Sequence, residues 1–110
     1  MVQWAKEFSA AITICDLDGK IVEMNNKSIE TFKDDGGNQL IGRSLFDCHS
    51  ESSSNIIKNL LANNSRNVYT IEKGGIKKLI YQSPWYEEGK IKGLVEISIE
   101  IPTEIQHHIR

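Results

Sequence analysis

The chain has 110 residues, with 13 Lys and Arg against 15 Asp and Glu, for a formal net charge of −2. That length suits one domain, which buries roughly two-thirds of its unfolded surface and needs no disulfide or metal to hold it, and a hydrophobic share of 39% excludes a disordered polymer. The balanced charge, with no basic cluster, argues against nucleic acid as the partner. No apolar run approaches the ~18 residues of a membrane span, so no membrane is expected either. The N-terminal residues lack the basic-then-apolar pattern of a signal peptide. Cys15 and Cys48 form neither a CxxC pair nor a disulfide framework, which fits a reducing cytoplasm.

In chain order, Val2, Trp4, Ala5 and Phe8 have the spacing of one face of a short helix within residues 1–9. Residues 11–15 and 20–24 are β-branched runs, and Asp18-Gly19 between them predicts a hairpin, because glycine accepts the positive φ of the turn. Asn25 or Asn26 stands where a helix N-cap belongs. The helix that follows would turn Ile29 and Phe32 inward and stop at the glycines Gly36 and Gly37. After a compact mixed stretch, Ser52, Ser53 or Ser54 is the expected cap of a second helix, with Ile56, Ile57, Leu60 and Leu61 as its apolar stripe.

Three strands are predicted at residues 68–73, 76–86 and 91–101, with turns at Gly74-Gly75 and Glu88-Gly89. The last has the cleanest alternation. Ile91, Gly93, Val95, Ile97, Ile99 and Ile101 form the row expected to be buried, and Lys92, Leu94, Glu96, Ser98 and Glu100 the mostly polar row. Sixteen isoleucines in the chain agree with half-buried strands. Pro102 ends the last strand because it cannot donate to a ladder. The order is α+β: a five-stranded antiparallel sheet, with helices between strands 2 and 3 packed on one face.

Three motifs carry a family resemblance. Asp16-Leu17-Asp18-Gly19 leading to Asn25 resembles the opening hairpin of a PAS domain. Leu40-Ile41-Gly42-Arg43-Ser44-Leu45-Phe46-Asp47 resembles the second recurrent stretch of that family, and Glu87-Glu88-Gly89-Lys90-Ile91 followed by Gly93 resembles the turn into its final strand. Glu100-Ile101-Pro102 lies where many PAS domains read Asp-Ile-Thr, so Pro102 departs from the family at its output connection. Cys48-His49 is similar to the pair that a subset of PAS domains carries after the Leu-Ile-Gly stretch.

The resemblance implies a PAS domain over residues 10–102, followed at 103–110 by the start of a C-terminal signalling helix or a linker. It implies a non-enzymatic sensory module of a bacterial-type signalling or regulatory protein. Such a module holds a small apolar or aromatic ligand or a partner between sheet and helices and acts on an effector domain. The expected pocket residues are Ile14, Phe32, Leu45, Cys48, His49, Ile57, Leu60, Tyr81 and Ile97; the same side chains would also make an ordinary packed core. Trp4 and Phe8 are the expected homodimer contacts, and a ligand-free dimerisation scaffold is the alternative function. A haem sensor using His49 is a further alternative.

The cofactor is open, and neither haem nor flavin is expected. His49 precedes the expected helix caps, whereas haem-binding relatives use a histidine inside the long helix. Cys48 lies three positions beyond the place of the flavin-linked cysteine of light sensors. No resident metal is expected: His107 and His108 are neighbours, which diverge by about 100° on a helix and seldom chelate one ion. Gly36-Gly37 and Gly74-Gly75 lack the frameworks that cradle phosphate.

Overall fold

The computed structural model describes residues 1–48 and 50–110, and the side chains of all of these except Asp47 and Cys48. A short N-terminal helix α1 (Gln3–Lys6) precedes the hairpin β1 (Ala11–Asp16) and β2 (Ile21–Met24). Helix α2 (Asn26–Thr31) follows, then two 3-10 turns (Lys33–Asp35 and Gly37–Leu40), then α3 (Leu45–Cys48) and α4 (Glu51–Asn63). Three long strands complete the chain: β3 (Asn67–Lys73), β4 (Ile76–Glu87) and β5 (Lys90–Ile101). The sheet is antiparallel throughout, in the order β2-β1-β5-β4-β3. The expected five strands, with helices between the second and third, are all present.

Local chemistry explains the first turn. One carboxylate oxygen of Asp16 accepts from the backbone N–H groups of Asp18 and Lys20, both at 2.9 Å, while Gly19 takes φ +79°. Phe46 packs onto Gly19 so closely that a Cβ there would meet the ring at 2.5 Å. The Leu45 N–H donates to the Gly19 carbonyl at 2.7 Å, so the hairpin turn and α3 are joined.

Asn25 is the N-cap of α2, its Oδ1 accepting from the Ser28 N–H. The cap of α4 is Ser50, which accepts from the Ser53 N–H at 3.2 Å. This corrects the expectation of a cap at Ser52, Ser53 or Ser54, all of which lie inside the first turns. A capping oxygen serves the N–H three positions on, and starting at Ser50 also places Glu51 at the helix's positive end. The buried stripe of α4 is consequently Ser54, Ile57 and Leu60, with Leu61 partly covered and Ile56 exposed.

A second correction concerns the last strand. Ile57 and Leu60 of α4 pack against Cys15 and Leu94, so the helices cover the row containing Leu94, Glu96 and Ser98. The row Val95, Ile97 and Ile99 lies on the opposite, outer face, where Ile99 is exposed. Alternation separates two faces of a strand but does not say which one a helix will cover. Gly93 is required where β5 meets β1, since a Cβ there would stand 1.9 Å from the Cys15 carbonyl oxygen. On that spot the Trp85 indole donates to the same carbonyl at 3.1 Å.

Residues 103–110 have no regular secondary structure. No helix among the described residues is long and apolar enough to cross a membrane.

Candidate functional site

The helix-covered face of the sheet is only half filled. One apolar cluster joins Cys15 and Leu94 to α4 through Ile57 and Leu60. Another joins Ile21, Met24 and Leu40, with Ile29, Phe32 and Leu45 packed against it. The residues of β3 after Asn67 are all exposed. Between the second cluster and the β3–β4 half of the sheet lies a cavity of about 620 Å³, within the range of small-molecule sites.

Ile21, Met24, Phe32, Leu40 and Leu45 form the apolar wall on the side of the connecting segment. The sheet supplies the floor: Thr13 from β1, Ile80 from β4, and Glu96 and Ser98 from β5. Tyr69, Ile71 and Lys73 of β3 and Lys78 of β4 line the far side, and Thr31, Asp35 and Arg43 complete the lining. A separate void of about 20 Å³ lies between Thr13, Cys15, Leu45, Ile57, Gln82, Leu94 and Glu96, large enough for one water.

Hydrogen bonds tie two of the floor residues, Glu96 and Thr13, to their neighbours. Asn67 donates to Gln82, and Gln82 donates to the Glu96 carboxylate at 2.8 Å. The Thr13 and Ser28 hydroxyls bond to each other. Burial, and secondarily the charge of Glu96, raise the Tyr69 phenol above its ordinary range. Burial pushes the Cys15 thiol up to about 11, with Asp16 and Glu96 adding to the rise against a hydrogen bond from the Leu94 backbone. Cys15 is therefore an inert core thiol at neutral pH.

Of the expected pocket residues, Phe32 and Leu45 line the large cavity, Leu45 and Ile57 line the small void, and Leu60 sits in the adjoining core. Ile14, Tyr81 and Ile97 do not belong with them. Ile14 is in register with Val95 and Tyr81 with Ile97, on the outer face, so the sheet itself separates them from the cavity. The reason is the reversed face of β5 described above. The side chain of Cys48 and all of His49 lie outside the described residues. Trp4 and Phe8 are exposed and stack edge to face, with ring centroids 5.8 Å apart.

Sequence reasoning missed Thr13, Glu96, Ser98, Tyr69 and Ile80. A signal did exist: Leu94 is the one apolar residue in the supposedly polar row of β5, and it is buried at 3% exposure.

The strand order, the hairpin–helix opening, and the cavity between the sheet and a connecting segment of short helices together define a known architecture. The fold is that of a PAS domain. Solved structures match it closely. The PAS domain of histidine kinase ThkA superposes with TM-score 0.65 at 21% identity, covering 82% of this chain and 97% of that one. The Aer2 receptor from Vibrio cholerae, described as a dual PAS-heme oxygen sensor, gives TM-score 0.68 at 12% identity over 86% of this chain and 96% of that one. VqmA of Vibrio cholerae, solved bound to DPO, gives TM-score 0.69 at 14% identity over 89% of this chain and 54% of that one. At these identities the likeness to PAS domains is one of fold. No protein-family model and no curated protein matches the chain.

Proposed function

We propose that this PAS domain is a sensory module that holds a small molecule with an apolar or aromatic body in the cavity between β3–β5 and the connecting segment. The observation that carries the reading is the cavity itself: about 620 Å³, open to solvent, with an apolar wall and a few polar groups on its floor, a volume in the range of small-molecule sites. Similar structures lend support, since one is an oxygen sensor and another was solved with a bound ligand.

In this reading a ligand bridges the connecting segment to β4 and β5. It favours one packing of those elements over another, which is the differential contact that any ligand-driven shift requires. The change passes along β5 to Ile101, through Pro102, and into residues 103–110, which become a helix or remain a linker in contact with an effector.

Native mass spectrometry with an absorption spectrum, on protein purified gently from its own host, tests the reading. A bound mass of a few hundred daltons supports it. A Soret band that His49→Ala removes would replace it with the haem-based alternative. If deletion of residues 103–110 left the response of a partner unchanged, the proposed output route would be wrong.

A second reading, a ligand-free dimerisation scaffold, is favoured by one specific feature. The outer face of the sheet carries Val68, Tyr81, Ile97 and Ile99, of which Val68 and Ile99 are exposed. The N-terminus reaches the edge of that face, where the Met1 ammonium pairs with Glu23, the register partner of Ile14. A clean apo mass at dimer size, with Trp4→Ala or Phe8→Ala giving monomers, would favour this second reading.

A further inference from the structure

We infer that the cavity selects small amphipathic amines, with the protonated amino group held on the cavity floor by Glu96 and Ser98. The inference rests on the ligand-binding reading above and adds the chemical class of the ligand.

Glu96 lies in the middle of the central strand β5 and lines both the large cavity and the small void beside it. It is partly buried. One carboxylate oxygen accepts from Gln82 at 2.8 Å. Among the described residues, no cation pairs with Glu96, and no donor to its second oxygen is present. Each ion pair found there involves a different carboxylate, Glu23 or Glu100.

In the open cavity that oxygen can bond to water. Any ligand that fills the cavity displaces this water and must replace it with a donor, because a desolvated carboxylate without one is costly. An anion placed there would add like-charge repulsion. A protonated amine supplies both the opposite charge and up to three N–H donors.

Ser98 is two residues further along the same face of β5, about 7 Å away, and also lines the cavity. Its hydroxyl can accept a second N–H of the same ammonium group. The apolar body then rests on Met24, Phe32, Leu40 and Ile80.

Arg43 lines the cavity from the connecting segment, and the two lysines lie along the sheet away from Glu96. Lys78 is in register with Glu100, whereas Gln82 is in register with Glu96, so Lys78 is four residues, roughly 13 Å, along the strand from the Glu96 row. Lys73 is at the end of β3 beyond it. This separation gives the site a direction, with the amine at Glu96 and any acceptor group of the ligand toward Lys78.

The test is calorimetric titration of the full chain with three probes of matched shape: benzylamine, benzyl alcohol and benzoate. Benzylamine is expected to bind about tenfold more tightly than either of the others. Glu96→Gln keeps the shape and an acceptor for Gln82, and it should abolish that advantage while benzyl alcohol binding persists. Benzoate binding as tightly as benzylamine, or an unchanged preference in Glu96→Gln, overturns the inference while leaving a ligand-binding cavity in place. Failure of all three probes to bind the parent protein overturns the cavity reading and the inference with it. Should Glu96→Gln not fold, intermolecular nuclear Overhauser contacts in the parent protein decide. The benzylic protons must lie against Glu96 and Ser98, and contacts confined to another surface overturn the assignment.

Discussion

Asn25 is fully buried and uses every hydrogen-bonding position of its amide that the backbone can reach. Its Oδ1 accepts from the N–H groups of Ile12 and Ser28, and its Nδ2 donates to the carbonyls of Ala5 and Ala10. One side chain thus caps α2, extends the β1–β2 hairpin and anchors the N-terminal segment. Asn25→Ala strands two donors and two acceptors, which is expected to cost about 3 kcal/mol or more. Urea unfolding measures it, and a loss below about 1 kcal/mol would mean that water replaces the amide.

Gly93 is bounded in the same way by contact. A Cβ at this position would stand 1.9 Å from the Cys15 carbonyl oxygen and 2.8 Å from the Trp85 indole nitrogen, so Gly93→Ala must push β1 and β5 apart. A loss of about 2–3 kcal/mol is expected, accompanied by a change in Trp85 fluorescence. Unchanged stability would show that the strands yield freely.

The thiol of Cys15 supplies a pH signature. Its ordinary value is 9.0 and the fold raises it to about 11. Below pH 9 the thiol is protonated in both the folded and the unfolded chain, so it favours neither. Between about 9 and 11 the unfolded chain releases the proton and the folded chain keeps it, so folding stability falls as pH rises through that window. The loss attributable to Cys15 is on the order of 2 kcal/mol. Comparing the parent with Cys15→Ala by chemical denaturation at pH 8 and pH 10.5 isolates it, and parallel pH profiles for the two proteins would refute it.

Among the elements, α4 carries a buried polar group that its packing does not use. The Ser54 hydroxyl is buried with no hydrogen-bond partner among the described residues, between the capping turn and the apolar contacts of Ile57. Ser54→Ala removes an unpaired polar atom and installs a better helix former, so a gain of about 1 kcal/mol is expected. A higher melting temperature is the readout, and destabilisation would point to an ordered water on the hydroxyl.

The strands were legible in the sequence to within a residue or two, because glycine turns and β-branched alternation are local signals. Their facing was not. The more apolar row of β5 is the outer one, since Ile57 and Leu60 of α4 pack on Cys15 and Leu94. The α4 cap at Ser50 was hidden for a different reason: four serines stand among residues 50–54, each a competent cap, and only the depth at which Ile57 meets the sheet selects one.

For the molecule as a whole, pairing β1 with β5 places the N-terminal hairpin beside the last strand. It leaves β3 as an edge held by β4 alone, with its residues after Asn67 exposed. That arrangement opens the cavity on one face and exposes an apolar surface on the other. If the outer face is an interface, Ile99→Lys should shift the protein to a lower oligomeric state in sedimentation measurements without altering ligand binding. An unchanged sedimentation coefficient would remove that role from the face.

The sequence by itself determined the class of fold, the number of strands and the hairpin opening at Asp16–Asn25. It did so because turns, caps and alternation depend on neighbours a few positions away. Helical spacing also marked Phe32 and Ile57 as inward-facing, and the resemblance to PAS domains added Leu45. Only the tertiary structure decided that Glu96 and Ser98 floor the cavity while Ile97 and Tyr81 do not. A strand's two faces are equivalent until a helix covers one of them, and that choice is made by contacts between residues far apart in the chain.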